Sequence, residues 1–361
     1  MTKWLIEYLP RIGNISIIIE SSQGKKIHID AIDLDGIHAK VGGEPIRIPF
    51  AAKVTLIYNK EEEETLCSQE FNEVAHFKLQ YSDLSTNKNS ISLMNDDLNW
   101  KWSKKELLAM KNFSFGCIDC GNVIFESDDN CRKLNIMPSE FWAELMDNWH
   151  CHKPSENNDS EGNNLNASFL KYSQLKPNNF EILIGNSFFI CNSATLNSKV
   201  IIDSKLNIVG CKNCNSIIGE INQDKLCQIF KWKLLLNGED KYPIYKHVIS
   251  QILNIVDSTS SRHILLQIED STEQIYIWAF SINTMVAATN YVECNNSIKI
   301  LYKDFEDDAD LNFQIKNTNV EKIITKLDAF KAFVEYLSES NSNLPSTVKT
   351  WGKWKVSYLP I

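Results

Sequence analysis

Phe115-Gly116-Cys117-Ile118-Asp119-Cys120-Gly121 and Gly210-Cys211-Lys212-Asn213-Cys214-Asn215 are the two stretches on which the fold of this chain turns. In each, two residues between the cysteines let both sulfurs face one metal ion. The residue after the second cysteine must turn tightly, so that backbone amides approach sulfur. Gly121 does this at no steric cost, and Asn215 tolerates the same left-handed conformation. Each motif follows strand-like sequence and precedes another apolar strand, which is the setting of a zinc ribbon. Four thiolates from two such turns make a closed tetrahedral site, structural rather than catalytic. About 90 residues separate the halves, against about 15–20 in a compact ribbon. A redox dithiol and unrelated buried thiols are the competing readings. Redox chemistry wants an exposed thiolate at a helix N-terminus, and neither motif precedes a convincing helix. The expectation is a Zn2+ clip of Cys117, Cys120, Cys211 and Cys214 that ties distant parts of the chain together.

Outward from the clip, residues 1–110 read as short β-branched strands. Ile15 to Ile19, Lys26 to Ile29, Ile46 to Ile48, Val54 to Tyr58 and His76 to Tyr81 are separated by turn material such as Ser22-Gln23-Gly24 and Gly42-Gly43. Their regular spacing predicts an antiparallel sandwich or open barrel. Between the two motifs, Phe141, Trp142, Leu145 and Trp149 recur at helical spacing over Ser139 to Trp149, and Pro138 opens that helix. Pro154 to Ser168, rich in Asn, Ser, Asp and Glu, reads as a mobile loop. Strands resume at Ile182 to Ile190 and Val200 to Val209. Past residue 233, Pro243 starts a helix with an apolar stripe of Ile244, Val248, Ile249, Ile252, Leu253 and Val256. Strands follow at Ile264 to Ile268, Ile275 to Phe280 and Ile298 to Tyr302. A second helix is expected from near Val320 to Leu337, and a last strand from Trp354 to Leu359. The fold class is α+β: a β-rich N-terminal half holding the four-cysteine zinc clip, and C-terminal helices packed on a mainly antiparallel sheet. The domain division expected is 1–232 and 233–361.

The chain has 361 residues, which suggests roughly two domains, and 43% are apolar, enough for a sizeable core. Its net charge of -9 and the lack of clustered Lys and Arg argue against a phosphate-tracking surface, so no direct nucleic-acid contact is expected. The acidic runs Glu61 to Glu64 and Glu306 to Asp310 read as solvated loops. No stretch is long and apolar enough to span a membrane, and the N-terminal residues lack a signal peptide's apolar run and cleavage site. Ten cysteines without a secretory signal point to metal binding or catalysis in a reducing compartment, the cytoplasm or nucleus.

Trp149-His150-Cys151-His152 is the second unusual cluster. Ordinary backbone geometry lets one or two of its three adjacent ligands reach a single ion. In one reading they sit in a loop and lend at most one ligand to the clip. In the other they are offered outward to a metal held partly by another protein. Cys67, Cys131, Cys191, Cys227 and Cys294 stand singly and read as small core residues. Acid beside Cys294 disfavours a reactive thiolate there. No phosphate loop, nucleophile elbow or His-Glu-x-x-His motif is present.

Together these motifs resemble the HECT-like ubiquitin-conjugating-enzyme-binding family, whose members include a ubiquitin-protein ligase and a fungal factor of mRNA cleavage and polyadenylation. The matching stretches are Cys117 to Gly121, Met137 to Leu145, Trp149 to His152, Ile184 to Phe189, Cys211 to Cys214 with Ile218-Gly219-Glu220, and Ser342 to Pro345. They cover the chain from about residue 113 onward, while the first hundred residues match in texture only. The resemblance implies two activities. One is ubiquitin transfer, with a conjugating enzyme docking along about 234–253. The other is binding the metal-dependent endonuclease that cuts pre-mRNA at the poly(A) site. For that role the family's Trp-Cys-Cys-His motif enters the nuclease and lends a cysteine to its zinc. Here His150 replaces the first cysteine, which leaves Cys151 and His152 as ligands toward the partner's metal and Trp142, Trp149 and His150 as partner-binding side chains. The resemblance favours the outward reading of this cluster. A HECT-type thioester would need an accessible, activated cysteine, and no C-terminal cysteine sits in a matching motif.

Overall fold

A computed structural model describes residues 2–9, 12–50, 54–57, 60–83, 100–127, 133–137, 177–196, 198, 200–222, 224–289, 291–304 and 319–361. They form two compact units, Met1–Leu93 with Ser261–Ile361, and Met94–Ser260. Among the described residues, strands are paired antiparallel except in two places given below, and no helix is long and apolar enough to cross a membrane.

The first unit opens with β1 (Lys3–Leu9), β2 (Asn14–Glu20), β3 (Ile27–Ile32), β4 (Gly36–Val41), β5 (Glu44–Pro49) and β6 (Val54–Ile57). Helix α1 (Lys60–Ser68), β7 (Glu70–Phe71) and β8 (Val74–Asp83) complete its N-terminal part. Ile15, Ile17 and Ile18 are all buried, so β2 is covered on both faces, as a continuous apolar run requires. The sheet of β1, β2, β8 and β6 shares one core with the sheet β5-β4-β3-β7, where Ile6, Ile17, Ile29, Ile37 and Phe77 meet. Gly42 and Gly43, both at positive φ, close the β4–β5 hairpin with the mirror-image turn that suits strand twist. Glu61 to Glu64 lie in α1 rather than in a loop. Glutamate is a good helix former, and Leu66 and Cys67 on the same helix pack against the shared core.

The C-terminal part of this unit comprises β20 (His263–Ile268), β21 (Gln274–Ala288), β22 (Tyr291–Asp304), β23 (Val320–Thr325), a C-terminal helix (Leu327–Asn343), β24 (Thr350–Trp351) and β25 (Trp354–Pro360). One sheet runs through both ends of the chain in the order β24-β25-β22-β21-β1-β2-β8-β6, with β20 and β23 branching from β21. The first strands therefore do not close on themselves: Leu5 to Tyr8 pair with Met285 to Ala288. The sequence predicts one helix from Val320 to Leu337, whereas the chain forms β23, parallel to β20, and turns helical only at Leu327. The reason is a period of two. Ile323 and Thr325 are buried while Lys322 and Ile324 face solvent, and β-branched residues favour the extended state. In the helix, Phe330, Phe333 and Leu337 are buried as expected.

The second unit contains α2 (Lys104–Ala109), β9 (Ser114–Cys117), β10 (Val123–Glu126), β11 (Lys133–Ile136), β12 (Glu181–Ile184), β13 (Phe188–Cys191) and β14 (Val200–Asp203). It continues with β15 (Ile208–Cys211), β16 (Ile217–Ile221), β17 (Cys227–Phe230), β18 (Leu234–Leu236), β19 (Asp240–Lys241) and α3 (Tyr245–Thr259), which makes the C-terminal helix of the chain α4. Four strands order as β10-β9-β18-β19 and seven as β11-β12-β13-β17-β16-β15-β14, with β11 and β12 parallel. The expected boundary at 232/233 falls inside this unit, where Leu234 pairs with Cys117. Both sheets contribute to one core. Phe115 is its hub, with ring centroids 5.0 Å from Trp102, 4.9 Å from Phe125 and 5.0 Å from Phe189. Lys231 is fully buried there, its ammonium donating to the carbonyls of Lys101 and Trp102 at 3.1 and 3.3 Å. Val248, Ile249, Ile252, Leu253 and Val256 of α3 are buried in the predicted stripe.

The strand assignment of 320–325 has a direct test. Ile323→Asp is expected to lower the unfolding free energy by about 3 kcal/mol or more, and Ile324→Asp by less than about 0.5 kcal/mol. Urea titration followed by circular dichroism measures both, and equal losses would favour the helix instead.

Candidate metal centre

Two hairpin turns build the site by the same local rule. At the β9–β10 turn the Gly121 amide donates to the Cys117 carbonyl at 2.8 Å, and the Cys117 amide donates to the Asn122 carbonyl at 2.8 Å. At the β15–β16 turn Asn215 donates to Cys211 at 2.8 Å, and Cys211 to Ser216 at 2.9 Å. Gly121 and Asn215 both take the left-handed conformation, at φ 71° and 60°. Gly116, one residue before the first cysteine, is required by close approach: a Cβ there would stand 2.9 Å from the Gly121 carbonyl oxygen. The two turns thus present their cysteines in matching frames, as the paired motifs predict.

All four sulfurs lie within 4.8 Å of one another. Cys117 Sγ stands 3.7 Å from Cys214 Sγ, and Cys120 Sγ stands 3.5 Å from Cys211 Sγ. A tetrahedral tetrathiolate with metal–sulfur bonds near 2.3 Å spaces its sulfurs about 3.8 Å apart. The four cysteines are free thiols whose spacing fits a shared ion, so the set could hold one metal. Cys117 and Cys211 are fully buried members of the core, while Cys120 and Cys214 are half-buried at its rim.

Local electrostatics pull the thiols apart. Burial pushes Cys117 up to about 12, while the hydroxyl and amide of Ser216 hold Cys214 down to about 6. The Ser216 hydroxyl is 3.2 Å from Cys214 Sγ, and the Asn122 side-chain amide donates to Cys211 Sγ at 3.5 Å. Asn122 and Ser216 occupy the same position in the two motifs, two residues past the second cysteine. Only that repeated offset in the sequence signals their contact with sulfur. A bound cation favours the thiolate at Cys117 despite its burial.

The remaining sequence-predicted residues fall elsewhere. Trp142, Trp149, His150, Cys151 and His152 lie outside the described residues, as do Cys131 and the Pro154 to Ser168 stretch. The chain leaves for that segment after β11 and returns into β12, its parallel neighbour, where the Met137 amide donates to the Ile184 carbonyl at 3.0 Å. The 234–253 stretch is part core and part surface: Leu234, Leu236, Val248 and Leu253 are buried, Pro243 to His247 are half-buried, and Asn237, Gly238, Glu239 and Lys241 are exposed. Cys191 and Cys227 are buried, as predicted for single cysteines, and burial pushes Cys227 up to about 11. Cys67 is half-buried, and burial raises its thiol as well.

Comparison with known proteins reaches further along the chain than the motifs do. The model of the HECT-like ubiquitin-conjugating enzyme (E2)-binding family matches residues 7–356. This chain belongs to that family. It is 30% identical to the uncharacterized protein YJR141W of Saccharomyces cerevisiae over 369 residues, covering 99% of each chain. It is also 21% identical to an E3 ubiquitin-protein ligase of Pongo abelii, over 79% of this chain and 80% of the relative. The human ligase of the same name is 21% identical over 68% and 72%. No solved structure matches the chain. The family match includes most of the first hundred residues, which resemble the family only in texture at the level of motifs.

Elemental analysis of the reduced protein is expected to find one metal ion per chain. Cys117→Ala and Cys211→Ala are each expected to abolish its retention and to lower Tm by about 10 °C. Protons compete with the metal for thiolate, so the ion is expected to leave as pH falls and not as it rises. A reduced chain free of metal would remove the site.

Proposed function

We propose that this chain acts as a binding factor of the ubiquitin-ligase-like family, and that its finer role is to mask or chaperone the metal-dependent endonuclease of mRNA cleavage and polyadenylation. The element carrying this role is Trp149 to His152, with Cys151 and His152 lent to the nuclease zinc and Trp142, Trp149 and His150 holding the surface. The clip of Cys117, Cys120, Cys211 and Cys214 takes Zn2+ in this reading, since four soft thiolates in a closed tetrahedral set suit that ion. The chain works in the nucleus and cytoplasm.

One observation weighs most for binding over covalent catalysis. Thioester chemistry needs an accessible thiol with a lowered pKa or a neighbouring base. Among the cysteines with described side chains, four form the candidate metal set, Cys191 and Cys227 are buried, and the Cys67 thiol is raised. Ubiquitin transfer remains the alternative because relatives are named E3 ubiquitin-protein ligases. In that case a conjugating enzyme would meet the 234–253 segment at its exposed 237–241 turn.

Two measurements separate the readings. In pull-downs with the purified nuclease, Cys151→Ala is expected to weaken binding about tenfold or more; unchanged binding would end the insertion model. In charging assays with a panel of conjugating enzymes, no reductant-sensitive ubiquitin adduct is expected on this chain. An adduct lost on substituting one cysteine would establish the ligase instead.

A further inference from the structure

The sheet of the first unit carries an exposed aromatic surface, in a different unit from the four cysteines. Strand register fixes which residues share a face. One row of paired residues runs Lys322, Leu265, Tyr276, Lys303 across β23, β20, β21 and β22. The next runs Val320, His263, Trp278, Leu301, Val356 into β25. Along β20, residues on these rows are half-exposed, while the alternating Ile264, Leu266 and Ile268 are buried. The face with Lys322 and Trp278 is open at its margins, at Lys322, Ile324, Phe280 and Trp351, while Tyr276, Leu301 and Val356 within it are buried, the last two beside Leu344.

Its edge is built of aromatic rings. Trp278 stands 5.6 Å from Trp351, 6.0 Å from Trp354 and 5.3 Å from Phe280. Trp351 is 55% exposed, Phe280 43%, and Ile324 at the far side of the same face 58%. Large apolar side chains clustered in the open mark an interaction site, and tryptophan is the residue most enriched at binding hot spots.

Charge decides what fits there. The charged residues on the two rows are Lys322 and Lys303, and Lys303 Nζ lies 4.7 Å from the Trp354 ring centroid. The neighbouring acids Glu321 and Asp304 pair with Ile264 and Ile275, which places them on the opposite face. A chain of net charge -9 thus presents a locally positive apolar face. A second copy would set lysine against lysine. A single-stranded nucleic acid wants flat ring faces for base stacking, but Trp278 meets Trp354 at 65° and Phe280 at 75°, edge toward face. Rings tilted in this way make notches for aliphatic or aromatic side chains.

We propose that this face docks an acidic peptide segment of a partner protein, with apolar side chains seated among Trp278, Phe280, Trp351 and Trp354 and carboxylates opposite Lys303 and Lys322. The proposal stands independently of the nuclease and ligase readings.

Random-peptide phage display against the full chain tests it, with affinities of the enriched peptides measured by fluorescence polarisation. Enriched peptides are expected to combine Asp or Glu with Leu, Phe or Trp. Their binding is expected to weaken about tenfold with Trp351→Ala, to weaken with the Lys303→Glu/Lys322→Glu pair, and to fall with added salt. Lys322→Glu alone, at an exposed strand position, keeps the test open if Trp351→Ala fails to fold. The proposal is overturned if no acidic peptides are enriched or if their affinity ignores all these substitutions. It is equally overturned if labelled oligouridylate binds more tightly in a Trp351-dependent way, or if the free protein sediments as a dimer that Trp351→Ala dissociates.

Discussion

Four sulfurs confined within 4.8 Å, two of them in a hydrophobic core, are the constraint on which the second unit rests. Each hairpin belongs to a different sheet: β9 and β10 to the four-stranded one, β15 and β16 to the seven-stranded one. Cys117 and Cys214, and Cys120 and Cys211, whose sulfurs lie 3.7 and 3.5 Å apart, are 97 and 91 positions apart in the chain. In a chain-entropy picture, cross-linking so long a loop removes on the order of 4–5 kcal/mol of freedom from the unfolded state. A cation shared by the four thiolates would supply such a link and offset the penalty of burying charge at Cys117. The aromatic cluster around Phe115 lies in the same core, so packing joins the same two sheets that the four cysteines span.

The clip was legible because its chemistry is local. Cys-x-x-Cys followed by Gly121 or Asn215 contains its own turn geometry, and the matching motif confirms the frame. The stripe on α3 was legible for the same reason, since five buried positions repeat at helical spacing within one element. What escaped the sequence was non-local or degenerate. Nothing in Lys3 to Leu9 announces a partner near residue 286, although that pairing merges the two ends of the chain into one sheet. Ile323-Ile324 satisfies a helix stripe and a strand equally, and only the pairing with β20 decides between them. Glu61 to Glu64 shows how a charge run says that a segment is solvated without saying whether it is helical.

Function is less evenly written. Family membership rests on a match over nearly the whole chain, and the clip motifs lie inside it. In the proposed reading, the Trp149 to His152 element has His150 beside Cys151, which leaves one thiolate to meet a partner's metal. Its flanking strands, β11 and β12, pair in the seven-stranded sheet that also carries Cys211 at the end of β15. The tilted tryptophans of the other unit belong to a separate chemistry, in which shape and local charge rather than a metal select the partner.

Hydrogen exchange with and without a chelator, under reducing conditions, tests the central claim that a metal closes the second unit. Removing the ion is expected to erase amide protection in β9, β10, β15 and β16 first, while β1, β2 and β8 of the first unit keep theirs. Undiminished protection in those four strands after the metal is gone would contradict it.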